Sequence, residues 1–208
     1  MDENTDNDGE MVGLEVSGCE RCPALVDSRN QIVNGTGPTD ADVLFVGEGP
    51  GATEDERGEP FVGRSGSVLD EQLMTVGLDR ETVRITNCVR CRPPDNRDPR
   101  REELTNCRGY LETEIERLDP EVIVTLGKVP SEHLLERSVA VTKETGTVED
   151  VRIGGGTRRV LICLHPAATL YDRSQTDAFL ETLETAADLA GVDDGEPRSQ
   201  GQTRLDGY

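Results

Sequence analysis

Short runs of consecutive apolar residues recur along the middle of the chain. An apolar run of four to eight residues that ends in glycine or a polar residue is typical of a buried parallel strand. Runs of this kind predict strands at 42–46, at 83–87, in EVIVTLG at 121–127 and in RRVLICLHP at 158–166.

Between these strands, apolar residues recur three or four positions apart, which is the spacing of one helical face. This pattern predicts helices at 65–78, 99–118, 128–137 and 177–191. The stretch 139–156 has neither pattern and is interpreted as an irregular hairpin that carries an insertion. Because strands and helices alternate, we predict an open, mostly parallel sheet with helices on both faces.

Both ends of the chain lack hydrophobic periodicity. Residues 1–12 are acidic, and residues 192–208 are acidic, polar and rich in glycine. We therefore expect two mobile tails on either side of a single domain at 13–191.

The charge of the chain is extreme for a folded domain. Asp and Glu number 42 against 22 Lys and Arg, for a formal net charge of −20, and the only lysines are Lys128 and Lys143. High net charge also marks disordered chains, but the recurrent apolar runs argue against disorder here. We interpret the acidity as adaptation to a very salty cytoplasm, where screening lengths fall to about 3 Å.

No apolar stretch approaches the roughly 18 residues that cross a bilayer. The acidic start MDENTDNDGE is unlike a signal peptide. We expect a cytoplasmic protein with no membrane partner.

Three predicted strand ends carry glycine-rich or polar segments: VGEGPGATED, TN and LHPAATLY. In sheets of this type, ligands bind at the carboxyl ends of the strands, so these segments are expected to meet in one crevice. The first segment is neither a Walker loop nor a dinucleotide fingerprint, because it lacks Gly-Lys-Ser/Thr and its glycine spacing is broken by Pro50 and Gly51.

Four residues near these ends are candidates for ligand chemistry, each with a plainer alternative. Glu48 follows a strand in a turn whose glycines also suit a simple tight turn. Phe61 is either a core residue or a stacking platform for a base. Asn87 either caps a turn or reads the edge of a base. His165 lies at a loop mouth before a proline, whereas His133 reads as an ordinary helix residue.

The cysteines predict a metal site. Cys19 and Cys22 form a C-x2-C pair, and two distant thiols can complete a four-sulfur shell for zinc or an iron–sulfur cluster. Spacing alone favours zinc and leaves Cys88 as a rival to Cys91. Cys163 lies in an apolar run and reads as a buried small residue. From the residues alone, the candidate ligands are Cys19, Cys22 and Cys107 together with either Cys91 or Cys88.

Taken together, four segments resemble the iron–sulfur uracil-DNA glycosylases of bacteria and archaea, known as family 4. These are CERC, GEGPGATEDERGEPFVGRSGSVLD, TNCVRCRPPDNRDPRREELTNC and HPAATL, and the resemblance extends over about 16–190. It implies a three-layer α/β/α sandwich with a central mostly parallel sheet, a [4Fe–4S] cluster, and excision of uracil from DNA to leave an abasic site.

The resemblance also implies roles for matching residues. Cys19, Cys22, Cys91 and Cys107 would hold the cluster, with Cys88 and Cys163 outside it. Gly47, Glu48 and Gly49 would line the uracil pocket. The resemblance assigns no group to orient the attacking water, because of the departure at Gly49 described below, and Glu48 is our candidate. Phe61 would stack on the base, Asn87 would read it and His165 would face uracil O2. Two positions depart from related patterns: Gly49 stands where the best-known glycosylase family has Asp, and Tyr171 where relatives have Arg.

Local positive charge is needed for an acidic protein to bind DNA. The stretch 84–108 contains more arginine than acid, and arginine forks bind phosphate locally. We assign Arg92, Arg97 and Arg100 to DNA, while Arg101 and Arg108 are read as neutralising acids on a helix face.

The function predicted from the sequence is a monomeric, monofunctional uracil-DNA glycosylase of base excision repair, acting on uracil-containing DNA. The alternative is a non-catalytic iron–sulfur or zinc module that binds damaged or single-stranded DNA. Contact with a replication clamp is left open.

Overall fold

A computed structural model describes residues 9–172 and 174–192. Its strands are β1 (Glu10–Val12), β2 (Glu15–Ser17), β3 (Val43–Gly47), β4 (Arg84–Asn87), β5 (Val122–Leu126), β6 (Val148–Ile153) and β7 (Gly156–Cys163). Its α-helices are α1 (Pro23–Ser28), α2 (Ala52–Arg57), α3 (Arg64–Thr75), α4 (Arg101–Leu118), α5 (Lys128–Leu135), α6 (Val141–Glu144), α7 (Pro166–Tyr171) and α8 (Ser174–Leu189). A short 3₁₀ turn covers Pro94–Asn96.

The central sheet has the strand order β4-β3-β5-β7-β6. Its first four strands are parallel, and β6 runs antiparallel to β7 at one edge. From β3 the chain goes first to β4 on one side and then to β5 on the other, which opens a crevice at the carboxyl ends of these strands. β1 and β2 form a separate antiparallel pair.

Apolar side chains alternate between the two faces of the sheet, as the pleat of a strand requires. On one face Phe45 packs with residues of α3 and α8, including Leu69 and Phe179. On the other face Leu44 packs with residues of α4 and α5, among them Leu111. Helices therefore cover both faces, which confirms the three-layer α/β/α sandwich predicted from the sequence.

The four strands and four helices predicted from periodicity are present with small shifts in their bounds. The stretch 139–156 contains α6, β6 and the turn into β7, with which β6 forms a hairpin. Periodicity missed the β1–β2 pair and the short helices α1, α2 and α7, because elements of three to six residues carry too little pattern.

The two predicted tails lie mostly outside the described residues. The described end of the first one differs from expectation, since β1 pairs with β2 and is therefore part of the folded structure. Across 9–172 and 174–192, none of the helices has the length and apolar character needed to cross a membrane.

Candidate active site

A cavity of about 230 Å³ opens at the carboxyl edge of the sheet. Its walls come from the β3–α2 loop and α2, the segment before α3 and the start of α3, the end of β4 and the loop between β7 and α7. Of the residues predicted to form the pocket, the structure brings together Glu48, Gly49, Phe61, Asn87 and His165, whereas Gly47 is not among the lining residues. The cavity is lined by Glu48, Gly49, Gly51, Glu54, Phe61, Ser65, Asn87 and His165.

The parallel register of β3 and β4 places Gly47 directly beside Asn87. A Cβ atom at Gly47 would collide with Oδ1 of Asn87 and with the ring of Phe61, so only glycine fits between them. The Asn87 side chain is 3% exposed, and its Oδ1 has no hydrogen-bond partner among the described residues. A buried acceptor in this state is costly unless a ligand supplies the donor.

Phe61 lines the cavity and has an unusual backbone conformation. Its φ is +53°, which bulky residues rarely adopt. Its ring is buried and tilted by 34° against the imidazole of His165, with 5.9 Å between ring centroids. Glu54 Oε1 accepts hydrogen bonds from the backbone N–H groups of Val62 at 3.1 Å and Gly63 at 2.8 Å. The segment that carries the ring is therefore held in place by α2.

His165 caps the amino end of α7 through its ring. Its Nδ1 accepts a hydrogen bond from the Ala167 backbone N–H at 3.1 Å. Burial lowers the pKa of His165 below its usual value, although the carboxylate of Glu54 partly opposes this. The imidazole is thus neutral at neutral pH, and because Nδ1 is an acceptor the proton lies on Nε2.

Among the side chains that line the cavity, Glu48 has the most strongly shifted pKa. Burial raises the pKa of its carboxyl group to about 7, and the nearby charge of Asp98 adds to the effect. A Cβ atom at Gly49 would lie 2.7 Å from the Val89 side chain, so this position accepts no side chain without a shift. Glu48 is consequently the carboxylate that the β3–α2 loop presents to the cavity.

Four cysteines line a second, smaller cavity between the segment before α1 and the start of α4: Cys19, Cys22, Cys91 and Cys107. Arg29 donates one hydrogen bond to Cys91 Sγ at 2.9 Å and another to the Cys19 carbonyl at 2.8 Å. The side-chain amide Nδ2 of Asn106 donates a hydrogen bond to Cys22 Sγ at 3.5 Å. The four cysteines predicted as ligands therefore line one cavity, with hydrogen-bond donors beside it.

The other two cysteines are not among the residues that line this cavity. Cys88 and Cys163 are completely buried in the cores on opposite faces of the sheet. None of the six cysteines is paired in a disulfide. In the part of the chain that the structure describes, no three His, Cys, Asp or Glu side chains are grouped in a way that could hold a metal ion.

Comparison with known proteins identifies the family. A model of the uracil DNA glycosylase superfamily matches residues 34–187, a span that contains every residue lining the larger cavity. The chain belongs to the uracil-DNA glycosylase superfamily.

Individual relatives within the superfamily agree with this assignment. The type-4 uracil-DNA glycosylase of Thermotoga maritima is 42% identical over 180 residues, covering 85% of this chain and 92% of that protein. Type-4 enzymes of Archaeoglobus fulgidus and Pyrobaculum aerophilum are 37% and 42% identical, over 85% and 81% of this chain and 90% and 87% of their own lengths. The resemblance found in the sequence motifs is therefore confirmed.

The three arginines assigned to DNA differ in their availability. Arg97 forms a two-pronged ion pair with Glu103, at 2.6 and 2.8 Å. Arg92 donates through Nε to Asn96 at 2.8 Å, and Arg100 is exposed. Arg97 is therefore the one of the three whose guanidinium is committed to a carboxylate in the described structure.

Two arginines counted in the arginine-rich stretch are corrected by the structure. Arg84 and Arg90 are buried, and both pair with the fully buried Glu114, at 2.6 and 2.7 Å. They stabilise the packing of α4 on the sheet and do not face solvent. Arg108 pairs with Glu112 and Glu136, in agreement with its interpretation as a neutralising residue.

Gly51, Glu54 and Ser65 line the cavity without having been predicted. All three lie in the glycine-rich segment that carried the resemblance. Their position in that segment, after Glu48, is the sequence feature that could have identified them as cavity residues. Tyr171 ends α7, and its side chain lies outside the described part of the structure.

Proposed function

We propose that this protein is a uracil-DNA glycosylase that hydrolyses the N-glycosidic bond of uracil in DNA and leaves an abasic site. The observation that carries the proposal is the buried, unpartnered Oδ1 of Asn87, on the wall of a cavity shared with Phe61 and His165. The cavity is smaller than the roughly 300–1,000 Å³ of drug-sized ligand sites and suits a single base.

Asn87 has the hydrogen-bonding groups to select uracil. Uracil presents an N3–H donor beside the O4 acceptor, and a side-chain amide pairs with both. Cytosine has an acceptor at N3 and a donor at its amino group. If the amide is held so that Oδ1 meets N3, cytosine would leave buried polar groups unpaired, and mismatches of this kind discriminate strongly.

Phe61 would stack on the base once it has left the duplex. A base stacked in DNA is inaccessible, so the nucleotide must first be extruded at a cost of a few kcal/mol. A fixed aromatic face compensates part of this cost, since stacking of a base on an aromatic side chain contributes about 1–3 kcal/mol. The burial and restricted surroundings of the Phe61 ring support this function.

His165 would stabilise the departing base. When the bond from N1 to C1′ breaks, negative charge develops on uracil O2. A neutral imidazole whose Nδ1 is occupied by the Ala167 N–H can donate only through Nε2. One donor placed at a developing oxyanion contributes about 3 kcal/mol to lowering the barrier.

Glu48 would orient the water that adds to C1′ of the sugar. Its carboxylate is the group on the β3–α2 loop best suited to accept a hydrogen bond from that water. Neither lysine of the chain lines the cavity. An amine for Schiff-base chemistry at C1′ is therefore not provided there, which supports a monofunctional enzyme.

We further propose that Cys19, Cys22, Cys91 and Cys107 hold a [4Fe–4S] cluster. The four cysteines that line one cavity match its ligand set in kind and number, although in the described structure their side chains are not already grouped as a metal site. The donors on Arg29 and Asn106 are of the kind that stabilise ligating thiolates. When bound, the group would cross-link the segment before α1 to the β4–α4 region. The expected effect is to hold the arginine-rich loop against the sheet, with Arg92 and Arg100 toward DNA phosphates. Visible absorbance of the purified protein distinguishes an iron–sulfur cluster from zinc.

The proposed activity is tested by incubating the protein with a uracil-containing oligonucleotide and then with alkali. Cleavage at the uracil position after alkali, and intact DNA before it, is the expected result for a monofunctional glycosylase. A cytosine-containing oligonucleotide is the control. If no strand break forms at any salt concentration, the protein is not this enzyme.

The variant Asn87→Asp tests the base-reading function of Asn87. A neutral amide replaced by a carboxylic acid changes the donor and acceptor pattern that faces N3, so discrimination against cytosine should weaken. The ratio of excision rates for uracil and cytosine is the measurement. An unchanged ratio would remove Asn87 from base selection.

A further inference from the structure

Arg80, in the turn between α3 and β4, donates hydrogen bonds to the backbone carbonyl groups of Pro60 and Phe61. Its Nη1 donates to the Pro60 carbonyl at 3.1 Å, and its Nη2 donates to the Phe61 carbonyl. Its Nε donates to Asp70 Oδ1 of α3 at 2.7 Å. One guanidinium thus links two successive carbonyl groups of the Phe61 segment to a carboxylate on a neighbouring helix.

The opposite edge of the same segment is also fixed. Glu54 accepts hydrogen bonds from the N–H groups of Val62 and Gly63. A Cβ atom at Gly66 would collide with the Phe61 carbonyl, so the first turn of α3 lies directly against that peptide group. With a φ of +53°, Phe61 has a conformation that persists only when its surroundings hold it.

We propose that Arg80 is a positioning residue that holds the ring of Phe61 at the height and tilt needed to stack on the extruded base. The proposal rests on the proposed function and deepens it. Arg80 itself does not belong to the lining of the cavity in the described structure, so it acts through Phe61 and not on the substrate. Nothing in the sequence singled it out, because its partners are backbone carbonyls.

A purely structural contribution of Arg80 should be small. The side chains of Arg80 and Asp70 are 30% and 42% exposed, and exposed ion pairs contribute little to stability. Removal of the guanidinium should therefore leave the protein folded. The substitution also removes the hydrogen bonds to two carbonyl groups of the segment that holds Phe61 in its unfavourable conformation, so the ring can move. A displacement of about 1 Å at a reacting site can reduce the rate about 100-fold.

The first experiment measures the position of the ring independently of activity. The chain has three phenylalanines, Phe45, Phe61 and Phe179, and incorporation of 4-fluorophenylalanine gives each a fluorine NMR signal. Phe61→Leu assigns the Phe61 signal by its disappearance. Arg80→Ala should shift or broaden that signal and leave the other two unchanged. An unaltered Phe61 signal in Arg80→Ala overturns the proposal.

Arg137→Ala is the matched control. Arg137 also donates to a backbone carbonyl, that of Ser138, and to the carboxylates of Glu144 and Glu149. Glu149 belongs to β6, at the other edge of the sheet from β4. This variant loses a comparable set of bonds but should leave the Phe61 signal and uracil excision unchanged.

The second experiment measures uracil excision and inhibition by free uracil. Arg80→Ala should lower the single-turnover rate of excision about tenfold to 100-fold and weaken inhibition by free uracil. Arg80→Lys has one ammonium group in place of the guanidinium that binds two carbonyl groups, so it should restore only part of the rate. In a Phe61→Ala background, Arg80→Ala should cause no further loss. An equal loss in both backgrounds overturns the proposal. Absence of excision by the unmodified protein would instead contradict the proposed function, and the fluorine signals would still decide whether Arg80 holds Phe61.

Discussion

Glu48 is the residue whose protonation most directly links the cavity to pH. Burial and the charge of Asp98 raise its carboxyl pKa to about 7. If the carboxylate orients water, the enzyme is active only in the deprotonated form, so activity is present above pH 7 and falls as pH decreases. The fall should approach about tenfold per pH unit below the midpoint.

This prediction is checked by measuring the single-turnover rate of uracil excision from pH 5 to pH 9. The Glu48→Gln variant should excise uracil slowly, and its rate should no longer change near pH 7. Its rate should fall only at lower pH, where His165 becomes protonated. Asp98→Asn should move the midpoint to lower pH, because one source of the raised pKa is removed. A rate for Glu48→Gln that keeps the midpoint near 7 would show that another group titrates.

At this scale, sequence reasoning succeeded where a residue lies at the end of a strand. Asn87 and His165 could be placed at the same edge because parallel strands align their carboxyl ends. Glu54 and Arg80 could not, since each contacts backbone groups of a loop whose path is set by tertiary packing. The backbone partners of a long polar side chain leave no trace in the spacing of residues.

Helix α4 connects the two halves of the proposed mechanism. Its first turns carry Cys107 of the cysteine site, and Glu103 near its start binds Arg97. Further along, Glu114 is fully buried and pairs with Arg84 and Arg90, while the Thr86 hydroxyl donates to it at 2.9 Å. The carboxylate thus fixes α4 to β4, the strand that ends in Asn87.

Replacement Glu114→Gln should strongly destabilise the protein. The amide keeps the shape of the side chain but leaves two buried guanidinium charges without a counter-charge. Removal of one partner from a buried ion pair costs about 3–5 kcal/mol. The free energy of unfolding from urea denaturation is the measurement.

Glu112→Gln on the same helix is the matched control. Glu112 pairs with Arg108 in a partly exposed i, i+4 arrangement, which contributes about 0.3–0.5 kcal/mol. If Glu114→Gln costs no more than Glu112→Gln, the buried network is not what holds α4 to the sheet.

The burial of Arg84 and Arg90 shows where element-level prediction failed. The strand 83–87 was predicted with nearly correct bounds, yet its arginine was counted as surface charge. Arginine is rarely buried without a partner, and the partner here lies on a helix far along the chain. Periodicity locates each element, but pairing across elements depends on the register in which helix and sheet pack.

The surplus of acidic side chains acts on the whole molecule. With 42 acidic and 22 basic side chains, the folded state concentrates a net charge of −20 in a compact volume. The ion pairs formed by Arg97, Arg108 and Arg137 offset this repulsion only locally. Self-repulsion of like charge destabilises a compact state more than an expanded one, and salt screens it. Adaptation to a salty cytoplasm remains a prediction from this charge.

We therefore expect the unfolding temperature to rise with KCl between 0.05 and 0.5 M. Over this range the screening length falls from above about 10 Å to a few ångströms, so most of the gain should come at the low end and then level off. If screening relieves about 2 kcal/mol, the midpoint should rise by about 4–8 °C. Thermal unfolding followed by circular dichroism provides the measurement. A rise that continues linearly with concentration would point to exclusion of the salt from the protein surface, and a flat profile would show that repulsion among the acids is already neutralised within the fold.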